Sequence, residues 1–270
     1  MRRSELEQPS EHRTTLPALR ASHKISIWQV LKDSIGKDLT KFCVPVYFNE
    51  PISMLQKVAE FMEYDDLLEH AVAEENSLLR MAYIAALNVS QYSSSEERTT
   101  KPFNPVLGET FELKREKWRF FSEQVSHHPP ISACYVESKD FEIWMNTNMK
   151  TKFWGKSLEF KALGSINVRL KKTNDHFVIL RPLSACHNII LGNMYIDHSG
   201  VMSVVNLTTN ERCDVEFNKK GWFKKNDFSV RGKVLAANGR PAYELSGRWT
   251  DGMSIKDLES GAEWSIWKRH

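Results

Sequence analysis

The chain has 270 residues, 41% hydrophobic and 26% charged, a composition typical of a folded globular protein that excludes global disorder. Its net charge is only +3, and no stretch approaches the roughly 20 apolar residues of a membrane-spanning helix. Residues 1–24 are polar and lack the apolar segment of a secretory signal. The four cysteines form no CxxC pair, so we expect a reducing compartment, no disulfide framework, no metal and no cofactor.

Charge is unevenly distributed along the chain. Residues 50–75 hold eight acids against one base, whereas residues 150–172 hold seven bases against one acid, and residues 218–233 hold six bases against one acid. The basic segments could form a face for anionic lipid headgroups or for nucleic acid. A solvated strand face is the simpler interpretation of each segment alone.

The first predicted element is an amphipathic helix that begins after Ser26. Apolar residues recur there at a spacing of three to four positions, namely Ile27, Trp28, Val30, Leu31, Ile35 and Leu39. Residues 1–24 before it are interpreted as a polar tail. A short helix of this kind can close over an apolar cavity or simply pack on a surface.

Two further helices are predicted before residue 100. Residues 52–72 carry a stripe of apolar side chains at helical spacing, which Asp65 and Asp66 could interrupt. Residues 76–92 are apolar on more than one side, which predicts a helix buried against a larger body. Gln91 and Tyr92 lie at its end, where an amide can also simply bond to a carbonyl group.

From residue 110 onward the pattern changes to about fifteen short runs rich in β-branched and aromatic residues. Turn pairs such as Asn174-Asp175, Ser199-Gly200 and Asn238-Gly239 separate them. So many strands exceed what an open sheet carries without curling, which favours a barrel, and the lack of long crossover helices excludes a parallel α/β fold. We therefore predict a mainly β protein with N-terminal helices, built as a large antiparallel barrel.

Two stiff polar segments flank the first predicted hairpin. Lys101-Pro102-Phe103-Asn104-Pro105 precedes it, and Glu123-Gln124-Val125-Ser126-His127-His128-Pro129-Pro130 ends it. Prolines restrict the backbone, so a cation, an amide and two imidazoles are held near each other with little entropy left to lose. Such convergent donors suit an anion such as a phosphate.

No sequence motif of an enzyme is present. The chain lacks a P-loop, GxGxxG, HExxH and GxSxG. Ser126 beside His127 is a sequence neighbour and does not establish a catalytic dyad, and neighbouring histidines in a strand point to opposite faces. We expect no catalytic activity.

The segments KPFNPVLGETFE and EQVSHHPP together resemble the signature of the lipid-binding domain of the oxysterol-binding-protein-related family. The resemblance runs from about Leu16 to Arg269. It implies a single domain over 25–270, with a lid and helices in 25–100 and an incomplete β-barrel in 101–270 that encloses a lipid tunnel. Family domains continue well past the segment that matches Glu263 to Arg269, so the resemblance is to a C-terminally short member.

The resemblance also implies roles for individual residues. Lys101, Asn104, His127 and His128 match the family's ligands for the headgroup of phosphatidylinositol 4-phosphate. Gln91 and Tyr92 match the polar end of the sterol and acyl tunnel. Ile27 and Trp28 match the lid.

The function implied is exchange of phosphatidylinositol 4-phosphate against a second lipid, a sterol or phosphatidylserine, between membranes. The protein would be cytoplasmic, would touch anionic membranes peripherally at endoplasmic reticulum contact sites, and would not bind nucleic acid. The alternative is a truncated lipid sensor or regulatory protein that binds lipid without transferring it.

Overall fold

The computed structural model describes residues 46, 49–189, 192–219 and 228–270 of the chain. The predicted first helix, with the lid candidates Ile27 and Trp28, lies outside these residues. Within them the chain forms a helical segment followed by a large, mostly antiparallel sheet.

The helical segment is more broken than the periodicity predicts. It consists of strand β1 (Asn49–Ser53), helix α1 (Met54–Ala59), a 3-10 turn (Glu60–Met62), α2 (Asp66–Ala73), α3 (Ser77–Ser90) and a second 3-10 turn (Gln91–Ser95). The helix predicted over 52–72 is therefore wrong at its start, and it is interrupted just before Asp66, where the two aspartates allowed a break. Its first residues extend because β1 pairs in parallel with β2 (Lys101–Phe103), a partner about fifty positions away that no local pattern reveals.

Helix α3 is buried, as its all-round apolar character predicts. Asn76 caps it by accepting hydrogen bonds from the backbone amides of Leu78 and Leu79, at 3.0 and 3.3 Å. Arg80 anchors the helix to the sheet, because its Nε lies 2.8 Å from a carboxylate oxygen of Asp175, and both side chains are almost fully buried. The helix contacts the strands at the C-terminal side of the sheet.

The remaining strands follow in chain order. They are β3 (Thr110–Lys114), β4 (Trp118–His127), β5 (Pro130–Ser138), β6 (Phe141–Asn146), β7 (Met149–Phe153), β8 (Ser157–Ala162), β9 (Ile166–Leu170), β10 (Asp175–Leu180), β11 (Leu183–His187), β12 (Tyr195–Asn206), β13 (Arg212–Phe217), β14 (Ser229–Leu235), β15 (Pro241–Arg248), β16 (Gly252–Asp257) and β17 (Glu263–Lys268).

These fifteen strands form one curled sheet in the described part of the chain. Its main path runs β17-β16-β15-β14-β13-β12-β10-β9-β6-β5-β4-β3, and β7, β8 and β11 lie off this path. Strands β3 and β17 each pair with one described neighbour, so the sheet stays open. The prediction of a mainly β fold with an incomplete antiparallel barrel is confirmed, and the parallel β1–β2 pair is an addition to it.

The turn predicted at Ser199-Gly200 was wrong. Strand β12 continues through these two residues and changes partners there, from β11 to β10 and β13. At this place the pairing partners, rather than the local residue pattern, decide the structure.

One end of the sheet, which we call the rim, carries the predicted site residues His127 and His128. The β4–β5 turn lies there, since His127 pairs with Pro130, and so do the end of β6 and the start of β9, since Met145 pairs with Ile166. The first half of β12 extends past this edge and carries β11, β8 and β7 with it. No helix among the described residues is both long and apolar enough to cross a bilayer.

Candidate functional site: a polar rim and a buried polar interior

The segment that begins with Lys101 is fixed at its backbone, and the lysine side chain is exposed. Pairing of β1 with β2 places Asn49 opposite Lys101, and the Asn49 amide donates to the Pro102 carbonyl at 3.3 Å. Pro102 is buried, whereas Lys101 is exposed. No described carboxylate lies within ion-pair distance of Lys101, so its ammonium group is available to an external anion.

Asn104 is oriented by a buried glutamine in strand β4. Gln124 is only 1% exposed, and its Oε1 accepts from the Ser132 hydroxyl at 2.5 Å. Its Nε2 therefore points the other way and donates to Asn104 Oδ1 at 3.3 Å. The oxygen of the Asn104 amide is thereby occupied, so this exposed side chain presents its NH2 group as a donor.

The loop that follows Asn104 is tied to the same glutamine by its backbone. The Gly108 amide donates to the Gln124 carbonyl at 2.9 Å, and the Gln124 amide donates to the Glu109 carbonyl at 3.0 Å. Gly108 has a φ of 78°, a conformation that favours glycine. The loop therefore lies against β4 in a defined position.

The two histidines lie side by side at the rim. His127 is at the end of β4 and His128 is in the turn, so the alternation of a strand does not separate them. Their ring centroids are 4.8 Å apart with an interplanar angle of 68°. The expectation that neighbouring imidazoles would point to opposite faces was wrong here, because the strand ends between them.

The tautomer of neutral His127 follows from its hydrogen bond. Its Nδ1 lies 3.0 Å from the carbonyl oxygen of Pro105. A carbonyl oxygen can only accept, so Nδ1 carries the hydrogen and Nε2 faces outward. Protonation of the ring would turn that outward nitrogen into a second donor.

These contacts join Asn104, Pro105, Gln124, His127 and His128 into one unit, which we call the headgroup cluster. Lys101 begins the same segment, three residues before Asn104. The structure thus assembles residues that the sequence placed in two separate motifs. Their role as ligands of a lipid headgroup remains a prediction.

Gln91 and Tyr92 lie in the 3-10 turn after α3, inside the sheet. The Gln91 amide donates to the Asn88 carbonyl at 2.9 Å, which is the helix-end hydrogen bond expected of it without a ligand. Tyr92 is 8% exposed, and its hydroxyl is buried without a hydrogen-bond partner in the described residues. Burial raises the pKa of Tyr92, so the phenol stays neutral. Of Gln91 and Tyr92, Tyr92 is therefore the residue whose polar group has no described hydrogen-bond partner.

Arg181 is a second interior polar residue that the sequence did not single out. It follows β10, and one guanidinium nitrogen donates to the carbonyls of Asn146 and Gly164, at 3.0 and 3.3 Å. Its Nε is buried without a described partner. Burial lowers the pKa of Arg181. Burial raises the pKa values of Tyr92 and Cys134, and the positive charge of Arg181 opposes that rise. The three groups therefore lie near one another.

Cys134 does not offer a reactive thiol in this interior. Burial raises its pKa to about 12, so the thiolate is not populated near neutral pH. The described residues also contain no group of three or more metal-ligating side chains. The interior thus presents apolar walls with a few neutral or cationic donors.

His198 connects the turn after α3 to the sheet. Ser95 donates its hydroxyl hydrogen to the Tyr92 carbonyl at 2.5 Å, so its oxygen accepts from His198 Nε2 at 2.8 Å. His198 Nδ1 then accepts from the Ser184 hydroxyl at 2.9 Å. Burial lowers the pKa of His198 to about 3, which keeps the ring neutral. Sequence patterns do not reveal this residue, because its hydrogen-bond partners come from two separate segments, the turn after α3 and strand β11.

A sequence model described as oxysterol-binding protein matches residues 26–269. The chain belongs to this family. Human oxysterol-binding protein-related protein 3 is 43% identical over 267 residues, which are 97% of this chain and 30% of the relative. Oxysterol-binding protein homolog 2 of Saccharomyces cerevisiae is 40% identical over 251 residues, which are 91% of this chain and 20% of the relative. The chain therefore spans less than a third of these relatives.

Solved structures of family members have the same fold. The Osh1 ORD domain in complex with cholesterol has a TM-score of 0.90 and 36% identity, and the match covers 97% of this chain and 68% of that chain. The Osh3 ORD of Saccharomyces cerevisiae in complex with PI(4)P has a TM-score of 0.84 and 31% identity, with 94% and 68% covered. Family and fold are those of lipid-binding domains, which confirms the resemblance seen in the sequence.

Proposed function

We propose that this chain binds phosphatidylinositol 4-phosphate by its headgroup at the rim and exchanges it against a second lipid between two membranes. The second lipid is a sterol or phosphatidylserine. Exchange needs no bond to be made or broken. It needs a polar mouth that recognises a headgroup and an apolar interior that shields the lipid's hydrocarbon from water.

The headgroup cluster is the observation that carries this proposal. Asn104 presents an NH2 group, His127 presents an outward ring nitrogen that donates when protonated, and Lys101 offers an ammonium group with no described ion-pair partner. A phosphate accepts hydrogen bonds from all three groups, and its charge favours the protonated imidazole. Because Gln124 and Pro105 hold Asn104 and His127 in place, these two side chains lose little conformational entropy on binding.

The interior supports the second half of the proposal. Apolar side chains of the strands and of α3 form one buried cluster there, and transfer of a lipid's hydrocarbon from water into such surroundings is favourable by about 25 cal/mol per Å². The Tyr92 hydroxyl and Arg181 Nε are open donors at its polar end. A sterol hydroxyl or a lipid ester could satisfy them, and the cholesterol complex of the similar Osh1 domain favours a sterol.

The cellular setting follows from the proposed exchange. Loading at one membrane and unloading at another requires a protein that reaches both from the cytoplasm and touches each only peripherally. Contact sites of the endoplasmic reticulum with other membranes would shorten that path. We expect the protein there.

The proposal is tested by extraction of labelled phosphatidylinositol 4-phosphate from liposomes. The purified 270-residue chain is compared with the double variant His127→Ala/His128→Ala. We expect the unmodified chain to extract the lipid and the double variant to lose at least tenfold in extraction, because two donors leave the headgroup cluster. Circular dichroism checks that both proteins are folded.

The double variant His70→Ala/His270→Ala is the matched control. It likewise removes two histidines, but they are exposed and lie on α2 and after β17, away from the headgroup cluster. Equal losses in both double variants would remove the headgroup assignment. A folded chain that binds the lipid but transfers none between liposomes would favour the sensor or regulatory alternative.

A further inference from the structure

The hairpin of β7 and β8 extends beyond the rim and has two chemically different faces. Its register pairs Lys150 with Lys161 and Lys152 with Glu159. One face therefore carries Lys150, Lys152, Lys161 and Glu159, and the turn adds Trp154 and Lys156. The other face carries apolar side chains such as Phe153, Leu158 and Phe160. We call the first face, with its turn, the lysine face.

The lysine face holds an excess of positive charge, since Lys150, Lys152, Lys156 and Lys161 outnumber its one carboxylate, Glu159. Lys150 and Lys161 are directly opposite each other, an arrangement that destabilises a sheet. Neither they nor Lys156 form an ion pair with a described carboxylate. Their repulsion would be relieved by an anionic surface placed against this face.

Apolar side chains stand among these lysines. Trp154 is 54% exposed, although its indole nitrogen donates to Glu159 at 2.7 Å and the Lys152 ammonium lies 3.6 Å from the ring centroid. Leu163, just after β8, is 57% exposed. A tryptophan beneath the Lys152 ammonium, in a turn that also holds Lys156, suits the boundary between lipid headgroups and hydrocarbon, where one end of the ring is hydrated and the rest is in apolar surroundings.

The hairpin starts at the same edge as the headgroup cluster. The Thr147 amide, two residues before β7, donates to the Ser132 carbonyl at 2.9 Å. The Ser132 hydroxyl in turn donates to Gln124, which orients Asn104. A flat surface that approaches the headgroup cluster would therefore lie close to the hairpin.

We propose that the lysine face docks on the surface of an anionic lipid bilayer, with Trp154 and Leu163 entering the headgroup boundary. This inference deepens the proposed function, since docking would hold the rim against the membrane from which a lipid is taken. It requires no particular headgroup, because the lysines respond to net surface charge. Lipid transfer and bilayer docking can therefore fail separately.

The test measures binding of the 270-residue chain to phosphatidylcholine vesicles with and without phosphatidylserine, and with no phosphoinositide, by co-sedimentation. The hairpin variant Lys150→Ala/Lys161→Ala should bind the anionic vesicles about 10- to 30-fold more weakly than the unmodified chain. Neutral vesicles should bind weakly in every case, and added salt should weaken the anionic binding.

The matched control is Lys139→Ala/Lys172→Ala. These exposed lysines lie in the β5–β6 and β9–β10 turns, at the opposite end of the sheet, and their loss changes the net charge by the same amount. The control should bind nearly as tightly as the unmodified chain. Equal losses in the two double variants, or no loss in the hairpin variant, would overturn the proposal.

A second measurement tests the apolar anchors. Leu163→Ala should weaken vesicle binding severalfold, whereas Leu207→Ala, which removes a leucine of 55% exposure from the opposite end, should not. His127→Ala/His128→Ala should still dock on these vesicles, which separates this proposal from headgroup recognition. Tighter binding to an oligonucleotide than to anionic vesicles at the same salt would overturn the choice of a lipid surface.

Discussion

Histidine occurs in two contrasting settings in this molecule. His198 is buried, and both of its ring nitrogens are bound to serine hydroxyls that tie the turn after α3 to the sheet. His127 lies at the rim, with one nitrogen bound to a backbone carbonyl and the other facing outward. The difference teaches that a satisfied ring stabilises the fold, whereas a half-satisfied ring on a fixed backbone is available to a ligand.

The largest expected difference between His198 and His127 is in their contributions to the stability of the fold. His198→Ala should lower the free energy of unfolding by about 3 kcal/mol, because it removes two buried hydrogen bonds and leaves a cavity beside Tyr92 and Trp249. Urea unfolding measures the loss. His127→Ala, the control at the rim, should cost less than about 1 kcal/mol. Similar losses of stability in both variants would contradict the conclusion that His198, and not His127, stabilises the fold.

The second effect is on the pH dependence of stability. The ordinary pKa of histidine is about 6.5, and burial lowers that of His198 to about 3. Between these values the unfolded chain binds a proton that the folded chain does not, so this contribution is present above pH 6.5 and is lost as pH falls. It should lower the free energy of unfolding by about 2 kcal/mol between pH 7 and pH 5.

His198→Gln is the comparison for that measurement, since it retains a polar side chain without a titrating ring. Its unfolding free energy should fall by about 2 kcal/mol less than that of the unmodified chain over the same interval. Parallel pH profiles for the two proteins would show that His198 is not neutral and buried in solution.

The smallest expected effect is on headgroup affinity, and it comes from Gln124, the buried residue that orients Asn104. Gln124→Met should weaken binding of the phosphatidylinositol 4-phosphate headgroup roughly three- to tenfold, because Asn104 loses the hydrogen bond that orients it. Titration with the soluble inositol headgroup measures this affinity. Ser122→Ala, an equally buried change on β4 without a link to Asn104, should leave it unchanged. Unchanged headgroup affinity in Gln124→Met would mean that Asn104 does not need the hydrogen bond from Gln124 to be oriented.

The rim residues could be predicted from the sequence because they lie in two short motifs stiffened by proline. The contacts among them could not be predicted, since the Gln124 side chain and the bulge in β4 depend on contacts with β5. The polar residues of the interior were harder to predict. Arg181 and His198 have partners in four other segments, and only the three-dimensional fold brings those segments together.

Among the strands too, features set by local residues were predicted and features set by distant contacts were not. Turns made by local residue chemistry were predicted correctly, such as Asn174, with a φ of 56°, and Gly239, with a φ of 82°. Features set by distant pairing were missed, such as β1 beside β2 and the uninterrupted course of β12. Local backbone preference can be deduced from a few residues, but the choice of partner strand depends on the whole chain.

The hydrogen bond from His127 to Pro105 also makes this ring a built-in reporter. With the Nδ1 hydrogen held by a carbonyl, Nε2 is the ring nitrogen that would meet an anion under the proposed function. If that proposal holds, nitrogen chemical shifts of a protein labelled at histidine would follow occupancy of the rim. Lipid loading would then be monitored by magnetic resonance without attaching a dye to either the protein or the lipid.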